Sequence, residues 1–193
     1  MLNVTARQEL MRTIVETLGV VVEEARLDFG EDGLLVRVVD PSHVAMIKMD
    51  VDSAAFETWE VDETKLGLEM RKMQQFLSVA GAGDMVELAY NSESGQATIH
   101  IGRIDLNLRP LDNSTLNPPN VPSLPLPCGV TIGGSELAQA LRAAKLVGDL
   151  VNLSLTSDTF TVNVIGSTDS VNLDFSKDDL MAIDCEEAAR SQI

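Results

Sequence analysis

The stretch SELAQALRAAKLVGDLVNLSL, Ser135 to Leu155, decides how the rest of the chain reads. Preceded by Gly133-Gly134, its first part predicts a helix over Ser135–Val147, and its end, Val151-Asn152-Leu153-Ser154-Leu155, alternates as a half-buried strand does. A turn at Ser157-Asp158 follows, then alternating runs at Phe160–Val164 and Val171–Phe175. The order is one helix and then three strands. The same order stands near the N-terminus. Gln8 to Val22 sets Leu10, Met11, Ile14, Val15, Leu18 and Val22 at helical spacing. Arg26–Phe29 then alternates, Gly30-Glu31-Asp32-Gly33 turns into Leu34–Val39, and a third strand runs over His43–Val51. Glu9-Leu10 matches Glu136-Leu137. After a one-residue slip Leu27-x-Phe29 matches Leu153-x-Leu155, Asp32 matches Asp158, and Leu34-x-Val36-x-Val38 matches Phe160-x-Val162-x-Val164. The chain repeats itself.

A weaker copy lies between these two: a strand at Leu66–Glu69, a helix from Met70 to Val79, and strands at Met85–Tyr90, Ala97–Ile101 and Ile104–Leu108. The unit is therefore strand, helix, three strands. NSTLNPPNVPSLPLP, Asn113 to Pro127, carries five of the chain's seven prolines without helix or strand period, and reads as an extended linker. This divides the chain into 1–112, with two units, a connecting loop at 113–127, and a second domain at 128–193. After the third copy, Asp179–Cys185 predicts the first strand of a fourth unit and Glu186–Ile193 the start of its helix. On that reading the sequence is part of a longer protein.

Charge narrows the function classes. There are 30 acidic residues against 14 basic, a formal net charge of −16, and 45% of residues are hydrophobic, enough for a real core. Such a surface argues against general affinity for nucleic acid or anionic membranes. It also suits a salty cytoplasm, where screening shortens like-charge repulsion to roughly 3 Å at 1 M. Cys128 and Cys185 form no CxxC and have no neighbouring His, which predicts two buried thiols in a reducing compartment. No secretion signal and no run long enough to span a bilayer is present, so a cytoplasmic location, in a prokaryotic or infected host cell, is expected.

Catalysis finds no footing. His43 and His100 lie in different units, and there is no nucleophile elbow, P-loop, GxGxxG or metal-spaced His/Cys/Asp set. The glycines of Ala80–Gly83 follow a helix and read as its cap. No enzyme activity, cofactor or metal is expected. What stands out is where the few positive charges fall. Arg7 and Arg12 lie on or just before the first helix, Arg71 and Lys72 on the second, and Arg142 and Lys145 on the third, flanking each apolar stripe. An acidic, non-catalytic repeat scaffold or interaction module that does not bind DNA would share the strands and the acidity. It would have no reason to confine cations to helices.

The whole chain resembles the proliferating cell nuclear antigen family of sliding clamps in its archaeal or archaeal-virus form. VDPSHVAMIKMDVDSAAFETWEVD resembles the family's D-[SP]-[SA]-[HN]-V segment and the strands after it; LGLEMRKMQQFLSVAGAGD is similar to its second helix region, NVPSLPLP to the end of its connecting loop, and ELAQALRAAKLVGDLVNLSL to the helix opening its second domain. The resemblance implies an α+β DNA-clamp fold of repeated β-α-β-β-β units, with helices on one face of antiparallel sheets. It implies a homotrimeric ring around duplex DNA, tethering polymerase, clamp loader, ligase and nucleases through short peptides, without membrane contact. By that resemblance Arg7, Arg12, Arg71, Lys72, Arg142 and Lys145 face DNA, and His43, Met46, Val121 and Pro122 line a partner-peptide pocket. Ile104, Leu106 and Leu108 would meet a neighbour's Val171, Leu173 and Phe175. The alternative for His43 is a turn capped by its own ring nitrogen.

Overall fold

A computed structural model describes all residues, Met1 to Ile193, as two compact units, Met1–Pro122 and Ser123–Ile193. In the first unit β1 (Leu2–Arg7) runs straight into α1 (Gln8–Gly19), followed by β2 (Glu24–Phe29), β3 (Gly33–Val39), β4 (Met46–Asp52) and the short β5 (Thr58–Val61). Then come β6 (Thr64–Glu69), α2 (Met70–Leu77), β7 (Met85–Asn91), β8 (Gln96–Ile101) and β9 (Ile104–Leu108). The strands make two antiparallel sheets, ordered β5-β1-β7-β8-β9 and β4-β3-β2-β6.

Alternation explains why these segments are strands. Leu2, Val4 and Ala6 of β1, Leu34, Val36 and Val38 of β3, and Ala97, Ile99 and Ile101 of β8 are buried, while the residues between them are not. The helices add their own stripe: α1 buries Met11, Ile14, Val15 and Leu18, and α2 buries Met70, Met73 and Leu77. The two helices pack on each other, and all these side chains join one core.

The second unit contains β10 (Cys128–Thr131), α3 (Gly134–Lys145), β11 (Asn152–Leu155), β12 (Thr159–Ile165), β13 (Ser170–Ser176), β14 (Ala182–Cys185) and β15 (Ala189–Gln192). β10 pairs with β14, and the other sheet has the order β13-β12-β11-β15. Its core is smaller, built on Ala140 and Ala144 of α3 against Leu155, Phe160, Val162 and Val164.

The strand-helix-three-strand unit is present as β1-α1-β2-β3-β4, as β6-α2-β7-β8-β9 and as β10-α3-β11-β12-β13. Several details differ from the sequence reading. His43 lies outside β4, in the turn before it. The residues Ala189–Gln192, expected in a helix, form β15, because the open edge of β11 offers them a ladder from Asn152↔Gln192 to Leu155↔Ala189. β15 thus stands to β11 as β6 stands to β2. The expected free thiols are disulfide-bonded: β10 and β14 pair in a register that sets Cys128 directly opposite Cys185, Cα atoms 4.1 Å apart. That pairing joins residues 57 apart in sequence, and no spacing rule within the chain could announce it.

Candidate functional site

Three surfaces carry the residues singled out from sequence. The first is the exposed side of the helices. Burying Met11, Ile14, Val15 and Leu18 turns Arg12 outward, where its Nε meets Glu16 one turn on at 2.6 Å. Arg71 and Lys72 are exposed on α2, with Lys72 Nζ 5.8 Å from the Phe76 ring centre. Arg142 and Lys145 occupy the last turn of α3, where a cation complements the helix dipole. None of these last four makes an ion pair. Arg7 is the end of β1 rather than a helix residue, and its Nε lies 3.5 Å from Glu57. Glu9, the carboxylate nearest the start of α1, accepts the Gly83 amide at 2.8 Å; backbone hydrogen bonds hold its pKa below the usual value. In a chain of charge −16, unpaired cations on helices can meet phosphate only at short range.

The second surface is the turn before β4. The Asp40 carboxylate accepts from the amides of Ala45 (2.6 Å), Val44 (2.7 Å) and Ser42 (3.0 Å), and these bonds lower its pKa. Asp40 therefore closes the turn. His43 is exposed with φ 57°, a left-handed backbone uncommon outside glycine, and its ring takes no protein hydrogen bond. The idea that His43 caps the turn is overturned. Val44 is 86% exposed and Met46 is exposed beside it. Val121 and Pro122 are exposed on the connecting segment, with no hydrogen bond joining them to the His43 turn.

The start of that segment is seated on the four-stranded sheet. Leu111 N–H donates to Gly67 O at 2.8 Å, Asn113 Nδ2 to Lys65 O at 2.7 Å, and Arg26 Nη1 to Leu116 O at 3.4 Å. Only a glycine at 67 lets the chain lie so close: a Cβ there would stand 3.0 Å from both Leu111 Cβ and Leu111 O. Beyond Leu116 a groove of about 180 Å³ runs between the segment and β2 and β3, with Arg37 and Val39 on one side and Pro118 and Pro119 on the other. Sequence reasoning missed Gly67, Arg26 and Arg37. The i, i+2 pairing of Arg26 with Asp28 was a visible signal that this face carries charge.

The third surface is a pair of sheet edges. β9 ends the five-stranded sheet and β13 ends a four-stranded one, so each presents one unpaired side. Ile104 is 43% exposed and Leu106 half-buried, whereas Leu108 is buried in the core; Val171, Leu173 and Phe175 are half-buried, with Phe175 stacked on Phe160 at 5.9 Å. No group of three His, Cys, Asp or Glu side chains is placed to hold a metal ion. No helix is long and apolar enough to cross a membrane.

Residues 1–104 match the family model described as the proliferating cell nuclear antigen, N-terminal domain. A DNA polymerase sliding clamp of Methanococcoides burtonii is 34% identical over 184 residues, covering 95% of this chain and 75% of that protein. One from the salt-loving archaeon Haloarcula marismortui is 30% identical, over 94% of this chain and 74% of its own length. The structure of A. fulgidus PCNA bound to the C-terminal region of FEN-1 superposes with a TM-score of 0.93 at 28% identity, covering all of this chain and 79% of that one. PCNA from Thermococcus kodakaraensis shares the fold, with a TM-score of 0.89 at 20% identity. The repeated β-α-β-β-β units and these likenesses agree: the chain belongs to the proliferating cell nuclear antigen family, the DNA sliding clamps.

Proposed function

We propose that this sliding clamp works as one subunit of a closed homotrimeric ring around duplex DNA. It is a non-catalytic processivity factor that tethers a replicative polymerase, with clamp loader, ligase and nucleases docking through short peptides. Within it 1–112 is the N-terminal clamp domain, 113–127 the connecting loop and 128–193 the part of the C-terminal clamp domain in this chain. The observation that carries this reading is the placement of exposed cations on all three helices of a strongly acidic chain. A row of separated cations touches phosphates without reading bases, which suits a ring that must slide. The unpaired edges of β9 and β13 support a subunit contact by strand addition, Ile104–Leu108 against a neighbour's Val171–Phe175. For the peptide pocket, the support is exposed apolar surface at Val44 and Met46, next to His43 in the chain, and at Val121 on the connecting segment.

The test reverses charge on the helices. Arg12→Glu, Arg71→Glu and Arg142→Glu together should impair loading or processive synthesis by the cognate polymerase while the assembly stays intact. Normal processivity from the triple variant would show that these helices do not face DNA.

A further inference from the structure

Little apolar burial holds the last strands of the second unit. From Met181 to Ile193 no residue is buried; Ile183, Cys185 and Ala189 are half-buried and the rest are exposed. β14 meets β10 over four residue pairs in a sheet of two strands, and β15 meets β11 over four more. A two-stranded pairing with so little to pack against is marginal in water. The Cys128–Cys185 bond is therefore the strongest tie on this segment. It joins residues 57 apart in sequence, and so removes much of the freedom of the unlinked chain.

The surroundings suit both the bonded and the broken state. The Glu186 amide donates to Pro127 O at 3.1 Å, one residue outside the Cys128–Cys185 pair, so the two cysteines face each other at a non-hydrogen-bonded position, where opposing side chains stand closest. Both are half-buried, and Cys128 forms part of the wall of an open cavity of about 550 Å³ shared with Leu126, Pro127, Phe160 and Glu187. An incoming thiolate has a path to the Cys128 sulfur. The Glu187 carbonyl oxygen lies 2.8 Å from Cys128 Sγ and 3.0 Å from Cys185 Sγ. A disulfide has no proton to offer that oxygen, whereas a thiol does. The reduced pair thus finds an acceptor already in place.

We propose that Cys128–Cys185 is a reversible redox latch, a site at which a dithiol reductant frees β14 and β15 from the second unit. One thiolate of the dithiol attacks Cys128 Sγ; the Cys128–Cys185 bond breaks, and its electron pair leaves with Cys185 Sγ, which takes up a proton. The second thiolate then attacks the reductant's own sulfur in the mixed disulfide, and Cys128 departs and is protonated in turn. Two electrons pass to the protein, and the reductant ends as a disulfide. An external disulfide runs the sequence backwards. Opening the latch leaves β10 without a strand partner and uncovers one edge of β11, and both edges can then pair with another strand. The latch depends on neither ring closure nor DNA.

The experiment equilibrates the whole chain in mixtures of reduced and oxidised dithiothreitol and counts free thiols by alkylation and mass. In parallel, hydrogen exchange is followed at Glu186 and Ile193, whose amides donate to Pro127 and Val151, with the buried Val162 of β12 as reference. The oxidised chain should carry no label and the reduced chain two, with complete return on reoxidation and Val162 protected throughout. On reduction, exchange at Glu186 and Ile193 should quicken at least about 30-fold, the low end of what such a cross-link contributes. Cys128→Ser and Cys185→Ser should each exchange as the reduced wild type does and ignore the redox mixture. Two labels under every oxidising mixture would show that no disulfide forms. A disulfide that yields only when Val162 also loses protection would be a structural cross-link and not a latch. Reduction without faster exchange at Glu186 and Ile193 would mean that the ladders alone hold these strands. Each of these three results overturns the proposal.

Discussion

Replacing Gly67 with alanine should loosen the connecting segment while leaving the sheet beneath it in place. The added Cβ would stand 2.7 Å from Leu116 Cδ1 and 3.0 Å from Leu111 Cβ and O, where ordinary contact begins at 3.4 Å. The methyl of Leu116 can swing aside. The Leu111 carbonyl cannot, so the chain at Leu111 must lift and its N–H bond to Gly67 O, now 2.8 Å, must lengthen. Overpacking of this kind costs about 1–3 kcal/mol. Taking about 2 kcal/mol, at 1.4 kcal/mol per tenfold, amide exchange at Leu111 should accelerate about 30-fold. Global stability should fall less, because alanine in a strand regains about 0.5–1 kcal/mol relative to glycine. Hydrogen exchange read residue by residue separates the two effects, with Val36 and Leu66 as internal references in the same sheet. Unchanged protection at Leu111 would mean that the close approach does not hold the segment, and the groove over Arg37 would lose its roof.

Three further outcomes follow from the other surfaces. Leu106→Pro and Leu173→Pro each remove a backbone donor from an edge strand, and should leave monomers by native mass spectrometry; a stable trimer from both would reject the β9–β13 contact. His43→Ala and Val121→Asp should weaken a polymerase-tail peptide by at least about 2 kcal/mol each without changing the far-UV spectrum, and calorimetry showing wild-type affinity would empty the proposed pocket. His100 Nδ1 lies 2.6 Å from Asp105, with Glu87 opposite it on the neighbouring strand, and the hydrogen bond to Asp105 raises the His100 pKa. The pair therefore stabilises β9 fully below the unfolded histidine's pKa, and that contribution fades as pH rises through the folded value. Asp105→Asn should bring the His100 titration, followed by NMR, back toward the ordinary value; an unmoved midpoint would reject the cause.

Much of this fold was readable because the repeat was. Two-residue alternation in Leu34–Val38 and in Phe160–Val164 and the helical stripe of Met11, Ile14, Val15 and Leu18 survive in the structure as buried faces. What escaped was set by partners distant in sequence. β1 is only LNVTAR and its strand character depends on β5 and β7 on either side, and β15 has almost no apolar residue and is held by the edge of β11. The disulfide needed the β10–β14 register. For the candidate site, the exposed helix cations were legible since amphipathic spacing fixes which way a helix residue points. The unpartnered Arg37 was not, because its isolation depends on cross-strand register and on a connecting segment lying overhead. His43 was visible as an oddity, yet the residue that organises its turn is Asp40.

A closed ring is linked to DNA topologically, and salt can show it. The chain is loaded by its clamp loader onto a nicked circular plasmid, passed through gel filtration at 1 M salt, and compared with the same complex after one restriction cut. Each phosphate contact contributes a slope of roughly −0.9 to log affinity against log salt, so a few contacts cannot hold the protein on DNA at that salt, whereas a closed ring is not screened away. A closed ring should stay with the intact circle and be lost from the linear molecule. Equal loss from both, or equal retention on both, would contradict it.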